Sequence, residues 1–242
     1  MAEFHLEIAG QVAAVTSLFE STPHHFSKYL TQRKADFSIE ISDADLRFEQ
    51  ADADAEAAEE GFRRRVFPDP FLERAAIQRK FAAYLLNHGI FLAHGSAMAV
   101  DGYGYLFTAR SGTGKSTHTR LWRDLFSQRA IMINDDKPFL QLTGETVLIH
   151  GSPWSGKHGL DCNICVPLKG ICLLERGSEN IIRPATPEQV RELLKGFRPN
   201  AGSQTDAYES LLTSLLEKVP LWHLDCNKEI EAAAVAYETM SK

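Results

Sequence analysis

The chain has 242 residues, 44% of them hydrophobic and 24% charged, an ordinary composition for a folded protein with enough length to bury a sizeable core. Its formal net charge of −6 argues against nucleic acid as the main partner, because phosphate backbones demand clustered Lys and Arg. No apolar run approaches the roughly 18 residues of a membrane-spanning helix. The first basic residue is Lys28, and Cys162, Cys165, Cys172 and Cys226 read as free thiols, so a cytoplasmic setting is expected.

Residues 1–60 read as strands and turns. Asp36 to Ile41 alternates apolar and polar residues with period two, and Leu46-Arg47-Phe48-Glu49 continues the pattern after a Ser-Asp-Ala-Asp turn. Gln50 to Glu60 is acidic and Ala-rich and precedes Arg63-Arg64-Arg65; both runs read as a solvated connector, with an anion site as the alternative for the triple Arg. Asp69-Pro70 opens a helix, with an N-cap and a proline at its first position, and Asn87-His88-Gly89 stops it. Ser96–Val100 and Tyr103–Thr108 flank Asp101-Gly102, a two-residue hairpin signal.

A helix over 115–127, strands at 130–133, 138–142, 146–150, 164–166 and 169–174, and a helix opened by the capping box Thr186-Pro187-Glu188-Gln189 follow. Helices near 205–218 and 228–240 enclose a strand at Pro220–Asp225. The expected organisation is a small β-rich N-terminal segment, 1–66, and an α/β domain, 67–242, of mixed α+β character.

The sharpest motif is Ala109-Arg110-Ser111-Gly112-Thr113-Gly114-Lys115-Ser116-Thr117. Gly112 and Gly114 let successive N–H groups turn inward to cradle phosphate oxygens, with Ser111, Thr113 and Thr117 alongside. Lys115 reaches the β- and γ-phosphates, and the Ser116 hydroxyl can ligate Mg²⁺. An apolar strand precedes the loop and a helix follows, so phosphates would meet a helix N-terminus. Ala109 stands where the consensus has Gly. A nucleoside triphosphate is the expected ligand.

Ile131-Met132-Ile133-Asn134-Asp135-Asp136-Lys137 is an apolar strand ending in acidic residues, where metal beside phosphates needs a hard oxygen ligand. The two Asp can divide the work, one supporting Mg²⁺ and one accepting a proton from an attacking hydroxyl. Their proximity predicts that one pKa rises, opposed by a protonated His94 and by Mg²⁺.

Together with His94-Gly95-Ser96, these segments resemble the HPr kinase and phosphoenolpyruvate carboxykinase superfamily over roughly residues 90–175. The resemblance implies a P-loop kinase-like central sheet flanked by helices. It also implies ATP and Mg²⁺ as cofactors, with Asp135 as general base, Asp136 as metal-side carboxylate and His94 placed near both. The longer glycine-bearing signature and basic C-terminal helix of HPr kinases are absent from this sequence, as is a recognisable carbon-dioxide or oxaloacetate pocket. Gly151-Ser152-Pro153-Trp154-Ser155-Gly156-Lys157 is similar to a segment of small HPr-kinase-like proteins; its small residues permit close backbone approach. Lys157 reads equally as a clamp on a phosphate or acidic substrate group and as solvated surface, and Trp154 more as packing than as a substrate platform.

Cys162-x-x-Cys165 lacks the second ligand pair of a structural zinc site, so the four cysteines read as small hydrophobes, and His24-His25 are too close in sequence to converge on one metal. His118 and Arg120 face either nucleotide or solvent, and Leu121, Trp122, Leu125 and Phe126 read as core. The expected function is an ATP-dependent kinase that transfers the γ-phosphoryl group to a hydroxyl acceptor, a Ser of a protein or peptide or a small metabolite. A nucleotide-binding regulatory module and an ATPase without an acceptor are the alternatives.

Overall fold

The computed structural model describes every residue except Glu60, Lys157 and 197–201. The chain divides into two compact units, Met1–Tyr84 and Leu85–Lys242. In the first, β1 (Ala2–Ile8) and β2 (Gln11–Ser17) form a hairpin, and β2 pairs in parallel with β3 (Phe37–Glu40). A one-turn helix, α1 (Thr22–His25), lies between β2 and β3.

Two longer helices follow, α2 (Asp43–Glu59) and α3 (Asp69–Leu86). The α2 helix replaces the strand expected at Leu46–Glu49 and the acidic part of the expected connector, while Arg63, Arg64 and Arg65 are exposed and outside regular structure, as a solvated connector would be. Ser42 donates to the Asp45 carboxylate through its N–H at 3.0 Å and its hydroxyl at 2.8 Å, which caps the first turn. Asp45 and Glu49, four apart, then lie on one helical face and both bind Arg79 of α3, at 3.1 Å and 2.6 Å.

The boundary between units falls inside α3, where the sequence placed it at residue 66. The reason is local to unit 1. Buried Glu73 accepts hydrogen bonds from the Leu18 N–H and the Thr22 hydroxyl, and Tyr84 stacks on Phe37 at 3.6 Å.

In the second unit, β4 (Ile90–Leu92), β5 (Ser96–Val100), β6 (Tyr103–Thr108), β7 (Ala130–Asn134), β8 (Phe139–Thr143), β9 (Thr146–His150), β10 (Cys165–Arg176), β11 (Ile181–Pro184) and β12 (Leu221–Cys226) form one mixed sheet of nine strands. Its main path runs β4-β8-β9-β10-β6-β5-β7. The two strands expected at 164–166 and 169–174 are one, β10, which bends at a bulge between Leu168 and Gly170. Its start pairs antiparallel with β9, its middle parallel with β6 and its end parallel with β12, so the sheet branches there.

Helices cover both faces, and strand alternation decides which residues meet which helix. Ala97, Ala99 and Leu106 pack with Val190 and Leu194 of α5 (Pro187–Leu194) and with Leu212 and Leu215 of α6 (Ser203–Lys218). Met98, Val100, Tyr105 and Phe107 pack on the other side with Trp122 of α4 (Lys115–Phe126) and Ala236 of α7 (Glu231–Met240). The fold is mixed α/β. Leu125, expected in the core, is 36% exposed. No helix among the described residues is long and apolar enough to cross a membrane.

Candidate functional site

The 109–114 loop leaves the buried end of β6 and delivers the chain directly into α4. Gly112 (φ 76°) and Gly114 (φ 129°) occupy the left-handed region that only glycine enters at low cost, and Gly114 stands immediately before the first helical residue, Lys115. Ser111, Gly112 and Ser116 are exposed, and Thr113, Lys115 and Thr117 half-buried, so the loop presents its polar groups outward at the free N–H end of α4. The Lys115 ammonium folds back on the Ala109 carbonyl at 3.2 Å. Burial lowers its pKa, opposed by the charges of Asp136 and Asp135.

Arg176, at the end of β10, donates to the carbonyls of Gly112 at 2.5 Å and Thr113 at 3.2 Å, and so fixes the loop. No local pattern marks this residue, because it lies more than sixty positions from the loop it holds.

Asp135 and Asp136 turn the corner after β7. Asn134 shapes that corner: its buried Oδ1 accepts the N–H groups of Asp136 at 2.7 Å and Lys137 at 2.6 Å, and its Nδ2 donates to the Ser152 carbonyl at 2.8 Å. An Asn before an acidic pair is a local turn signal that the sequence carried without a role being attached to it. Asp135 is buried and accepts a hydrogen bond from Ser96. Asp136 is half-exposed, and burial raises its pKa, with Lys137 and Lys115 pulling it down and Asp135 pushing it up. The upward shift falls on Asp136, the carboxylate expected on the metal side, and burial rather than the neighbouring carboxylate is its main cause.

His94 approaches the same corner, its Nε2 3.6 Å from Asp136 Oδ1, while the N–H of Gly95 donates to the Asp136 carbonyl at 3.0 Å. The expected protonated His94 is not what the site holds. Burial, then the charges of Lys115 and Lys137, push its pKa down to about 3, so the ring is neutral near pH 7. Lys137 turns its ammonium to the Gly196 carbonyl at 3.0 Å.

The segment from Gly151 closes the site from another side. A Cβ on Gly151 would lie 1.8 Å from the Cys162 carbonyl oxygen, and one on Gly156 3.7 Å from Asp136 Cβ, so small residues do allow close approach here. Trp154 packs edge-on against Phe139 at 6.3 Å. Lys157 lies outside the described residues. His118 points inward, its Nε2 accepting from Trp122 Nε1 at 3.0 Å, and Arg120 faces solvent. All four cysteines are free; Cys165, expected as a small hydrophobe, is exposed.

A cavity of about 430 Å³ adjoins the glycine loop, lined by Gly112, Gly114, Leu121, Leu174, Glu175 and Asn227 among others. A larger cavity of about 550 Å³, lined by Tyr103, Lys169, Trp222 and Met240, shares no lining residue with the loop or the acidic pair.

No protein-family model matches the chain, and no curated protein matches it. Among solved structures, it is similar to the Hpr(Ser) kinase/phosphatase from Coxiella burnetii, with 11% sequence identity and a TM-score of 0.37, over 62% of this chain and 99% of that one.

Proposed function

We propose that the chain is an ATP-dependent kinase of the HPr-kinase-like type, which transfers the γ-phosphoryl group to a hydroxyl on a protein, peptide or small metabolite. The observation that carries this reading is the convergence of Lys115, His94, Asp135 and Asp136 beside a positive-φ glycine loop that opens a helix. In this reading the N–H groups from Ser111 to Thr117 and the Lys115 ammonium hold the phosphates. The 430 Å³ cavity takes the nucleoside.

The donor set suits Mg²⁺: Ser116 offers an exposed hydroxyl, and the half-exposed Asp136 carboxylate, its pKa raised by burial, is relieved by a nearby cation. When bound, Mg²⁺ neutralises charge on the phosphates. Asp135, oriented by Ser96 through Oδ1, accepts the proton of the attacking hydroxyl at Oδ2. Neutral His94 keeps a lone pair and one N–H beside the pair without adding a competing positive charge. A cytoplasmic setting, where ATP and Mg²⁺ are abundant, also keeps the four free thiols reduced.

The test is incubation with γ-labelled ATP and cell extract. Label on a protein, peptide or metabolite supports the kinase. Free phosphate alone identifies an ATPase, and bound but intact ATP a regulatory module.

A further inference from the structure

Outside that site, strand alternation brings a second set of polar side chains to one face of the sheet. Glu175 lies near the end of β10, His223 and Asp225 lie two apart in β12, and Arg183 lies in β11. The register sets Glu175 beside Asp225 and Arg183 beside His223, so all four share one face of the β10-β12-β11 edge.

His223 is 6% exposed at its side chain and aims Nε2 at two carboxylates, 2.9 Å from Glu175 Oε2 and 3.4 Å from Asp225 Oδ1. One ligand atom from each residue lies within 4.8 Å of the other two. A ring nitrogen and two carboxylate oxygens at this separation need positive charge among them, which a proton, a metal ion and the neighbouring Arg183 guanidinium can each supply. Arg183 adjoins the same cluster: its Nη1 pairs with the other oxygen of Asp225, and its Nη2 lies 3.4 Å from both ring nitrogens, so an ion at Nε2 displaces the second contact and leaves the first. A carboxylate that offers one oxygen inward while a neighbour holds the other is how ligating carboxylates are oriented.

We propose that Glu175, His223 and Asp225 bind a first-row divalent cation, zinc by donor type, with the remaining coordination positions open to water. Zinc sits about 2.0–2.2 Å from nitrogen and carboxylate oxygen, which sets tetrahedral neighbours roughly 3.3 Å apart. The observed 2.9 Å and 3.4 Å bracket that spacing. Glu175 is 64% exposed, so an ion enters from solvent with the sheet intact. Glu175 also lines the 430 Å³ cavity and directly precedes Arg176, which holds the glycine loop, so occupancy stiffens the wall of that cavity. The inference does not depend on phosphoryl transfer.

The experiment is a calorimetric zinc titration of chelator-treated, nucleotide-free protein, repeated with Co²⁺ to read its absorption bands. One tight equivalent is expected in the parent. Glu175→Gln, at a largely exposed position, should weaken it roughly tenfold or more, and His223→Asn should abolish it. Cys162→Ser should bind as the parent does. No stoichiometric zinc in the parent, or the parent's affinity retained by Glu175→Gln, overturns the proposal, and the Glu175 variant decides even if His223→Asn does not fold.

Discussion

Ser96 donates its hydroxyl both to Oδ1 of Asp135, at 2.8 Å, and to the carbonyl oxygen of the same residue, at 3.2 Å. The first strand of the hairpin is thereby tied to the acidic corner, and Oδ1 of Asp135 is engaged. Ser96→Ala removes a hydrogen bond to a charged group, an effect of about 1.5–3 kcal/mol. ATP affinity should hold while phosphoryl transfer falls roughly tenfold or more. An unchanged single-turnover rate would show that Ser96 has no orienting role.

Asp135→Asn keeps the shape of the corner and removes the proton acceptor. Binding should persist, and transfer should fall by roughly 10²–10⁴, as for a lost general base. Single-turnover kinetics with the acceptor found by labelling measure this. If the variant transfers as fast as the parent while Asp136→Asn does not, the two carboxylates exchange roles.

Gly151→Ala should prevent normal folding. The added Cβ would meet the Cys162 carbonyl oxygen at 1.8 Å and the Ile133 oxygen at 3.1 Å, both backbone atoms that cannot swing aside. The expected result is insoluble protein or a thermal midpoint far below the parent's. A variant as stable as the parent would contradict this close approach.

Stability should fall in mild acid. Burial pushes the pKa of His94 and His118 down to about 3 and that of His150 to about 4, from an ordinary value of 6.5. The unfolded chain takes up protons at these residues that the folded chain excludes, so their contribution is present above about pH 6.5 and lost as pH falls below it. Three such residues cost on the order of 3 kcal/mol between about pH 7 and 5.5. Urea unfolding at both pH values checks it, and His118→Gln should show a shallower dependence. Equal parent stability at both values would contradict the burial argument.

Features written in a few adjacent residues were legible from the sequence. Asp101-Gly102 forms its hairpin with φ of 52° and 83°, and Thr186 and Gln189 form the capping box. The glycine loop sits between strand and helix as its spacing implied. Long-range features were not legible. The α2 helix is held partly by Arg79 and Lys80 from α3, and its acidic residues also fitted an alternating strand. The bulge lets β10 run on past Pro167 where two strands were expected. Ser96 and Arg176 act on partners 39 and 64 residues away, a relation that no local pattern encodes.

Calorimetric titration of ATP with Mg²⁺ into the parent and Lys115→Ala tests the central claim most directly. The parent should bind one equivalent, with affinity lost when Mg²⁺ is chelated. The variant should remain folded and bind roughly 10–100-fold more weakly, the effect of losing one charge-assisted contact. Equal affinity in parent and variant, or binding indifferent to chelator, would contradict the account.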